Sequence, residues 1–358
     1  MEVPITQSRE WQQLQDALGE RSFLVTGKGY HFLAILKITG AGNYLYCPYG
    51  PVAKDATALK DSLSKLRTLA KEHHAIFIEI EPIAEFKHSQ FLSIGKALDL
   101  QVKKVKDVSP KDTWILDLTP SEETLIQNFS QGTRTRFHNY HNKGLIVEKS
   151  TNSKDLSALV ELQKQLFAKK KIQPYDPNYL AKELEQQFAS LYLVRYVASK
   201  DTTRLSTSEQ AKETTSKAIY PADGQILAAS LFFDYNDTRY YMQSAADVKY
   251  RRLPATVALL TKAIFDAKNA GITQFDFWGI APENAPPDHP WSGFTEFKKS
   301  FGGSPRHYSG TYDFILTPTR YTLFQLARKT KKKATKLLRK SRSNSHATTD
   351  RTIEKTPS

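Results

Sequence analysis

The chain has 358 residues, of which 40% are hydrophobic and 25% charged; that is room for two globular domains at roughly 100–200 residues each, and it excludes a disordered or fibrous protein. The single cysteine, Cys47, excludes an internal disulfide and sits in the apolar run Tyr44–Cys47. No apolar stretch approaches the roughly 20 residues that cross a bilayer, and the polar, acid-bearing Met1–Glu20 does not read as a signal peptide, so a cytosolic protein is expected. Of the net charge of +14, the segment Arg320–Ser358 carries +10 (five Arg and seven Lys against two acids), so the body is mildly basic and the tail strongly so.

In chain order, His31–Ile38 and Asn43–Cys47 read as strands around the turn Gly40–Ala41–Gly42, and Ala58–Lys71 as a helix on the spacing of Leu59, Leu63, Leu66 and Leu69. Ala75–Ile80 and Thr113–Leu118 read as strands. Thr119–Pro120–Ser121–Glu122 reads as a helix start with Thr119 as N-cap, running to about Ser130. A basic segment follows, and Gly144 leads into strand Leu145–Glu148. Helices are expected over Lys154–Lys169 and Asn178–Phe188, with a strand over Ser190–Val197. Ser199–Ser216, nearly free of bulky apolar residues, reads as a flexible loop. Strands Gln225–Asp234 and Thr238–Ser244 flank the turn Tyr235–Asn236–Asp237. Helix Pro254–Asn269 ends at Gly271, and strand Gln274–Trp278 follows. Then come a short helix over Gly293–Ser300, the pair Gly302–Gly303, strand Thr311–Leu316 and a basic helix Tyr321–Arg339.

Strands and helices are mixed in both halves, an α/β (α+β) chain. The second half runs strand, hairpin, strand, helix, strand, helix, strand, the order of the N-acetyltransferase-like (GNAT) fold. An acyl-CoA enzyme of that fold needs glycines at the start of its central helix, so that backbone N–H groups reach the pyrophosphate. Here the junction reads Tyr250–Arg251–Arg252–Leu253–Pro254–Ala255–Thr256, without glycine and with one donor removed by Pro254. A tight coenzyme A cradle is therefore not expected.

Several segments in fixed order carry a resemblance. They are Ser8–Trp11 with Gln15–Gly19; Tyr44–Pro51 ending in Gly50–Pro51; Trp114–Leu118; and Thr133–Arg134 ahead of Gly144. After these come Ala228–Ala229, Tyr240–Tyr241, Ser244–Ala245, Tyr250–Arg251, Phe275–Ile280 and Phe297-Lys298-Lys299-Ser300-Phe301-Gly302-Gly303. Together they resemble the FemA/FemB/FemX family of peptidoglycan bridge-forming aminoacyltransferases. The sequence departs from that pattern at Trp278 and Gly132, which stand where the family has Gly and Lys, and it shows no long helical-hairpin insertion.

The resemblance implies two tandem GNAT-like domains, 1–148 and 149–317, a C-terminal helix 318–340 packing on the first domain, and a disordered tail 341–358. It implies transfer of an amino acid (Gly, Ala or Ser type) from aminoacyl-tRNA, as co-substrate, to the amino group of a peptidoglycan precursor, lipid-linked or UDP-linked. Neither metal nor further cofactor is expected; the sequence has no HExxH, cysteine cluster or Gly-x-Ser-x-Gly elbow.

By resemblance Lys298 stabilises the tetrahedral intermediate; a fixed ammonium beside the reacting carbonyl puts charge where charge develops. Phe297 would wall the pocket. Arg134, Arg136 and Arg251 are candidates for the precursor phosphates, or else solvated surface cations. Tyr250 and Tyr241 could hydrogen-bond the precursor, and Tyr241 could equally be a strand-core residue. Asp117 closes a buried-looking strand and could orient the acceptor amine or accept its proton, or simply cap a turn; Asp276 reads as structural. The basic tail suits a solvated helix, peripheral contact with the inner membrane leaflet, or RNA phosphates. Two other functions stay open: a GNAT-type N-acyltransferase using acyl-CoA, and a non-catalytic RNA-binding protein.

Overall fold

The structure, a computed structural model, describes residues 2–150, 152–170, 175–198 and 220–330. The described residues divide into two units, Glu20–Lys106 with Thr311–Thr330, and Glu2–Gly19 with those of Asp107–Gly310. The expected loop Ser199–Ser216, the end of the basic helix and the tail 341–358 lie outside the described residues.

In the first unit β1 (Arg21–Gly27), β2 (Tyr30–Thr39) and β3 (Gly42–Cys47) form an antiparallel meander, with β4 (Val52–Ala53) paired to the start of β2. The chain crosses over through α2 (Ala56–Glu72) to β5 (Ala75–Ile80), which is parallel to β3. The leucine spacing explains the crossover: Leu59, Leu63 and Leu66 are fully buried in one cluster with Phe32, Leu45 and Ile78. α3 (His88–Ala97) and β6 (Gln101–Lys104) follow. A Cβ on Gly95 of α3 would lie 2.2 Å from Val102 and 2.9 Å from the Leu100 carbonyl, so that helix docks only with glycine there. The remaining strand comes from far along the chain. β14 (Tyr312–Ile315) lies between β5 and β6, antiparallel to both. Its side chains alternate: Tyr312 and Phe314 enter the α2 cluster, while Ile315 joins Phe77 on the opposite face. There α10 (residues 318–330) adds Tyr321 and Phe324, whose rings meet Phe77 edge-on at 5.2 and 5.1 Å.

The second unit begins with α1 (Arg9–Ala17), capped by Ser8. Its sheet runs β13-β7-β12-β11-β10-β9-β8. β8 (Leu145–Ser150), β9 (Ala189–Tyr196), β10 (Ile226–Tyr235) and β11 (Thr238–Ala246) are antiparallel neighbours. α6 (Leu156–Lys170) and α7 (Pro177–Leu184) join β8 to β9. α8 (Ala255–Asn269) crosses from β11 to β12 (Gln274–Gly279), which is parallel to β11. α8 is the spine of this core, with Ala258, Leu260, Ala263, Ile264 and Ala267 fully buried. α9 (Ser292–Lys299) leads to β13 (Ser304–His307), and β7 (Asp112–Asp117) lies between β12 and β13. This is the GNAT-like α/β topology anticipated from the order of elements; the second sheet uses the consecutive strands β7–β13, whereas the first takes in β14 from beyond them.

These pairings correct the expected domain limits. Strand 113–118 was assigned to a first domain ending at 148 but pairs within the second sheet; strand 311–316 was assigned to the second domain but pairs within the first. Local sequence sets a strand's pattern, not its sheet. Two local readings also change. The N-cap after β7 is Ser121, not Thr119, and it opens α4 (Glu122–Asn128). The basic segment is a second helix, α5 (Gln131–Asn139), capped by Ser130. Its sequence shows no apolar stripe; Phe137 packs against Phe129 and Phe265.

Candidate active site

The site is built where two parallel strands part. β11 and β12 pair through Tyr240–Asp276 and no further, although β11 runs on to Ala246 and β12 to Gly279. Each strand has one extra residue at that point. Along β11 the partners of Ser230 and Phe232 are Ser244 and Tyr241; along β12 the partners of Ile115 and Thr113 are Asp276 and Gly279. Such bulges bend and twist the strand that carries them, and here they separate the carboxyl ends of the two strands. Trp278 lies in the β12 bulge with φ 65°, the left-handed region, at the position where the family pattern has glycine. Its ring meets Tyr240 edge-on at 6.1 Å.

α9 is laid across the end of β12 by two side chains on one face. Thr295 Oγ1 accepts the Ala281 N–H at 2.8 Å, and Lys298 Nζ donates to the Gly279 carbonyl at 2.6 Å. Lys298 is only 8% exposed, and its ammonium lies 5.6 Å from the centre of the Phe294 ring. Burial pulls its pKa down to about 8, against the opposing pull of Asp276. An ammonium has three donors, and among the described residues the Gly279 carbonyl is its one hydrogen-bond acceptor. A buried cation with donors to spare beside parted strand ends is suited to stabilising an oxyanion.

The Phe-Lys-x-x-Phe-Gly-Gly run acquires physical reasons. Phe297 and Phe301 pack against each other in the core, 5.3 Å apart. Gly302 (φ 79°) accepts the Trp114 indole N–H at 2.7 Å. Gly303 (φ 94°) passes so close to β7 that a Cβ would lie 2.3 Å from the Ile115 carbonyl oxygen. At the helix end, Ser300 hydrogen-bonds Thr133 at 2.8 Å and its carbonyl accepts the Ser130 N–H at 2.8 Å. The Thr133–Arg134 segment, remote in sequence, thus braces the helix that carries Lys298.

The other expected residues do not all gather here. The ring beside the ammonium is Phe294, not Phe297, which faces the core; residues four apart share a helix face and adjacent ones do not, so the spacing alone distinguishes them. Asp117 is exposed, accepts the Thr119 N–H at 2.9 Å, and pairs with Gln274 at the far end of β12. At about 3.3 Å per residue it lies some four residues of β7, about 13 Å, from Thr113, the partner of Gly279, too far to act with Lys298. Arg134 is committed to the Gln127 and Phe129 carbonyls at the end of α4, whereas Arg136 is exposed on α5. Tyr241 stacks on Phe232 and donates to Ser244 at 2.7 Å, and Tyr250 is buried in the α8 core with exposed Arg251 beside it. Lys299, the neighbour of Lys298, is exposed and pairs with Glu296.

A second carboxyl was not anticipated. Glu183 of α7 is fully buried, receives the Gln243 amide at 3.0 and 3.1 Å, and burial pushes it up to about 7. Because the folded-state value is raised, its ionisation costs stability as pH rises from the ordinary carboxylate range through about 7. Glu183→Gln is therefore expected to stabilise the protein by roughly 3 kcal/mol at alkaline pH and by nothing below the ordinary carboxylate range, as read from urea unfolding at the two values.

The profile of the FemAB family matches residues 4–194 and 183–329, and the chain belongs to that family. It is 23% identical to a lipid II:glycine glycyltransferase of Staphylococcus saprophyticus, covering 88% of this chain and 86% of that one, and 24% identical to the enzyme of the same name in Staphylococcus epidermidis, covering 91% and 88%. In three dimensions it is similar to FemX, with a TM-score of 0.72 at 20% identity over 89% of this chain and 94% of that one. It also shares its fold with L-PGS of Bacillus licheniformis, at a TM-score of 0.53 and 13% identity over 91% and 99%. No helix among the described residues is long and apolar enough to cross a membrane.

Proposed function

We propose that this FemAB-family transferase moves an amino acid from aminoacyl-tRNA onto the free amine of a peptidoglycan precursor, building the interpeptide bridge. The observation that carries the proposal is Lys298, a buried ammonium held by one carbonyl at the open end of β12; membership of the family and relatives named lipid II:glycine glycyltransferases support it. The precursor amine attacks the ester carbonyl carbon, and the carbonyl oxygen becomes an oxyanion that the Lys298 ammonium stabilises. The ester C–O bond then breaks, the ribose oxygen of the tRNA leaves and takes up the proton shed by the attacking amine, and an amide remains. An ester is already an activated acyl group, so this reaction draws on aminoacyl-tRNA as co-substrate and on no metal or coenzyme.

Exposed Arg136 and Arg251 are the cations we assign to the precursor's phosphates, whereas Tyr250 and Tyr241 belong with the core of the second unit. The basic segment from Arg320 onward would draw the protein to an anionic membrane face, where a lipid-linked precursor resides. The test is transfer in vitro with a panel of charged tRNAs and both lipid-linked and nucleotide-linked precursors, read as the mass gained by the precursor. One added residue that disappears on RNase treatment is expected. Acylation from acetyl-CoA instead, or no product with any pair, would overturn the proposal.

A further inference from the structure

Resting on that role for Lys298, we propose that Asp276 is its positioning residue: the Asp276 carboxylate fixes the β12 bulge that aims the Gly279 carbonyl at Lys298 Nζ, and sets a negative charge beside the ammonium.

The backbone gives the first half. Trp278 is held at φ 65°, which costs a residue with a side chain roughly 1–2 kcal/mol. Asp276 Oδ1 accepts the Trp278 N–H at 2.7 Å, closing a turn over two residues that holds this conformation. Beyond the bulge β12 rejoins β7: Gly279 faces Thr113 and the Ile280 N–H reaches the Asp112 carbonyl at 3.0 Å. Gly279 is wedged there, since a Cβ on it would meet Pro110 at 2.5 Å. Without the extra residue the register slips by one and every side chain and carbonyl beyond Asp276 changes sides. The carbonyl that receives Lys298 therefore points where it does because Asp276 closes the turn.

The charge gives the second half. Asp276 is buried, which raises its own value to about 7, so its charge is present where Lys298 titrates; the charged and titratable groups that act on it are Arg306 of β13, Lys298 of α9, Glu2, Tyr240 of β11 and Tyr308. Of these Arg306 is already paired, with Glu2 at 3.0 Å and Gln274 at 2.9 Å. Asp276 is the one group that raises the Lys298 value against burial. Removing its charge leaves Lys298 easier to deprotonate.

The test compares the pH dependence of aminoacyl transfer in the wild type, Asp276→Asn, Asp276→Ala and Lys298→Met, each checked for folding by thermal melting. Asn keeps an oxygen for the Trp278 N–H and loses only the charge, so D276N is expected to keep its KM for the precursor while the alkaline fall in rate moves about one unit lower. Ala loses the turn as well, and D276A is expected to lose about a hundredfold in kcat, the scale of a misplaced catalytic group. If K298M is inactive while D276N has the wild-type pH profile, or D276A the wild-type kcat, Asp276 has no positioning role and Lys298 keeps its own. If K298M is fully active, the role of Lys298 falls, and this inference with it.

Discussion

Lys298→Met is expected to lower kcat for aminoacyl transfer by about 10²–10³ while leaving KM for the precursor unchanged, because the lost interaction is with charge that exists only in the transition state. Met nearly preserves the volume of the side chain and removes the charge. The buried ammonium is strained by its surroundings, as its lowered pKa shows, so removing it offsets the lost hydrogen bond to Gly279 and the melting temperature should hardly move. The pH profile supplies an independent check. The ammonium is the working form, so the wild-type rate should fall as pH rises through about 8. A K298M enzyme of near wild-type kcat, measured with saturating charged tRNA, would remove Lys298 from the mechanism.

Ending the chain at Gly310 is expected to abolish folding of the first unit. The truncation takes away β14, which is hydrogen-bonded on both sides, and with it Tyr312, Phe314, Ile315, Tyr321 and Phe324, each at most 4% exposed. At about 1.5–3 kcal/mol per large buried side chain, the loss is of order 10 kcal/mol, comparable with the whole stability of an ordinary domain. Insoluble protein, or loss of cooperative melting with much reduced circular dichroism, is the expected outcome. A chain ending at Thr330 retains all five side chains and should melt like the full-length protein. It is the truncation with which to ask whether the basic tail promotes transfer to a lipid-linked acceptor in anionic vesicles over a soluble one. A Gly310-terminated protein that melts cooperatively as the full chain does would contradict the assigned role of β14.

What the sequence revealed was what neighbouring residues decide. The leucine rhythm of α2, the apolar run of β5 and the Asn236–Asp237 hairpin, with Asn236 at φ 49°, all follow from periodicity and turn chemistry. Lys298 stands out through its ordered motif, but that the ring beside it is Phe294 shows only in the fold. Less legible was whatever depended on partners remote in sequence. Asp117 reads equally as a group for the acceptor amine and as a turn cap because it ends an apolar strand; the strand ends at solvent there and the carboxylate accepts the Thr119 N–H. Asp276, between two phenylalanines, gave no hint that its carboxylate closes a turn in a bulge. β1, β6 and β13 are marginal strands by their own residues, half exposed or short, and exist because a neighbouring strand offers an edge. α5 likewise owes its existence to its cap and its brace on Ser300.

The interposed β14 also dictates an order of assembly during synthesis. β7 and every other strand of the second unit precede residue 310 and so emerge from the ribosome first, whereas β5 and β6 must wait for residues 312–315 to arrive between them. The usual sequence, in which the amino-terminal part of a protein folds first, is therefore reversed for completion: the later unit can close while the earlier one still has an open seam. Two exposed strand edges during that interval are a natural point for a chaperone to act, and the long-range pairing that finally fills the gap is of the slow-folding kind.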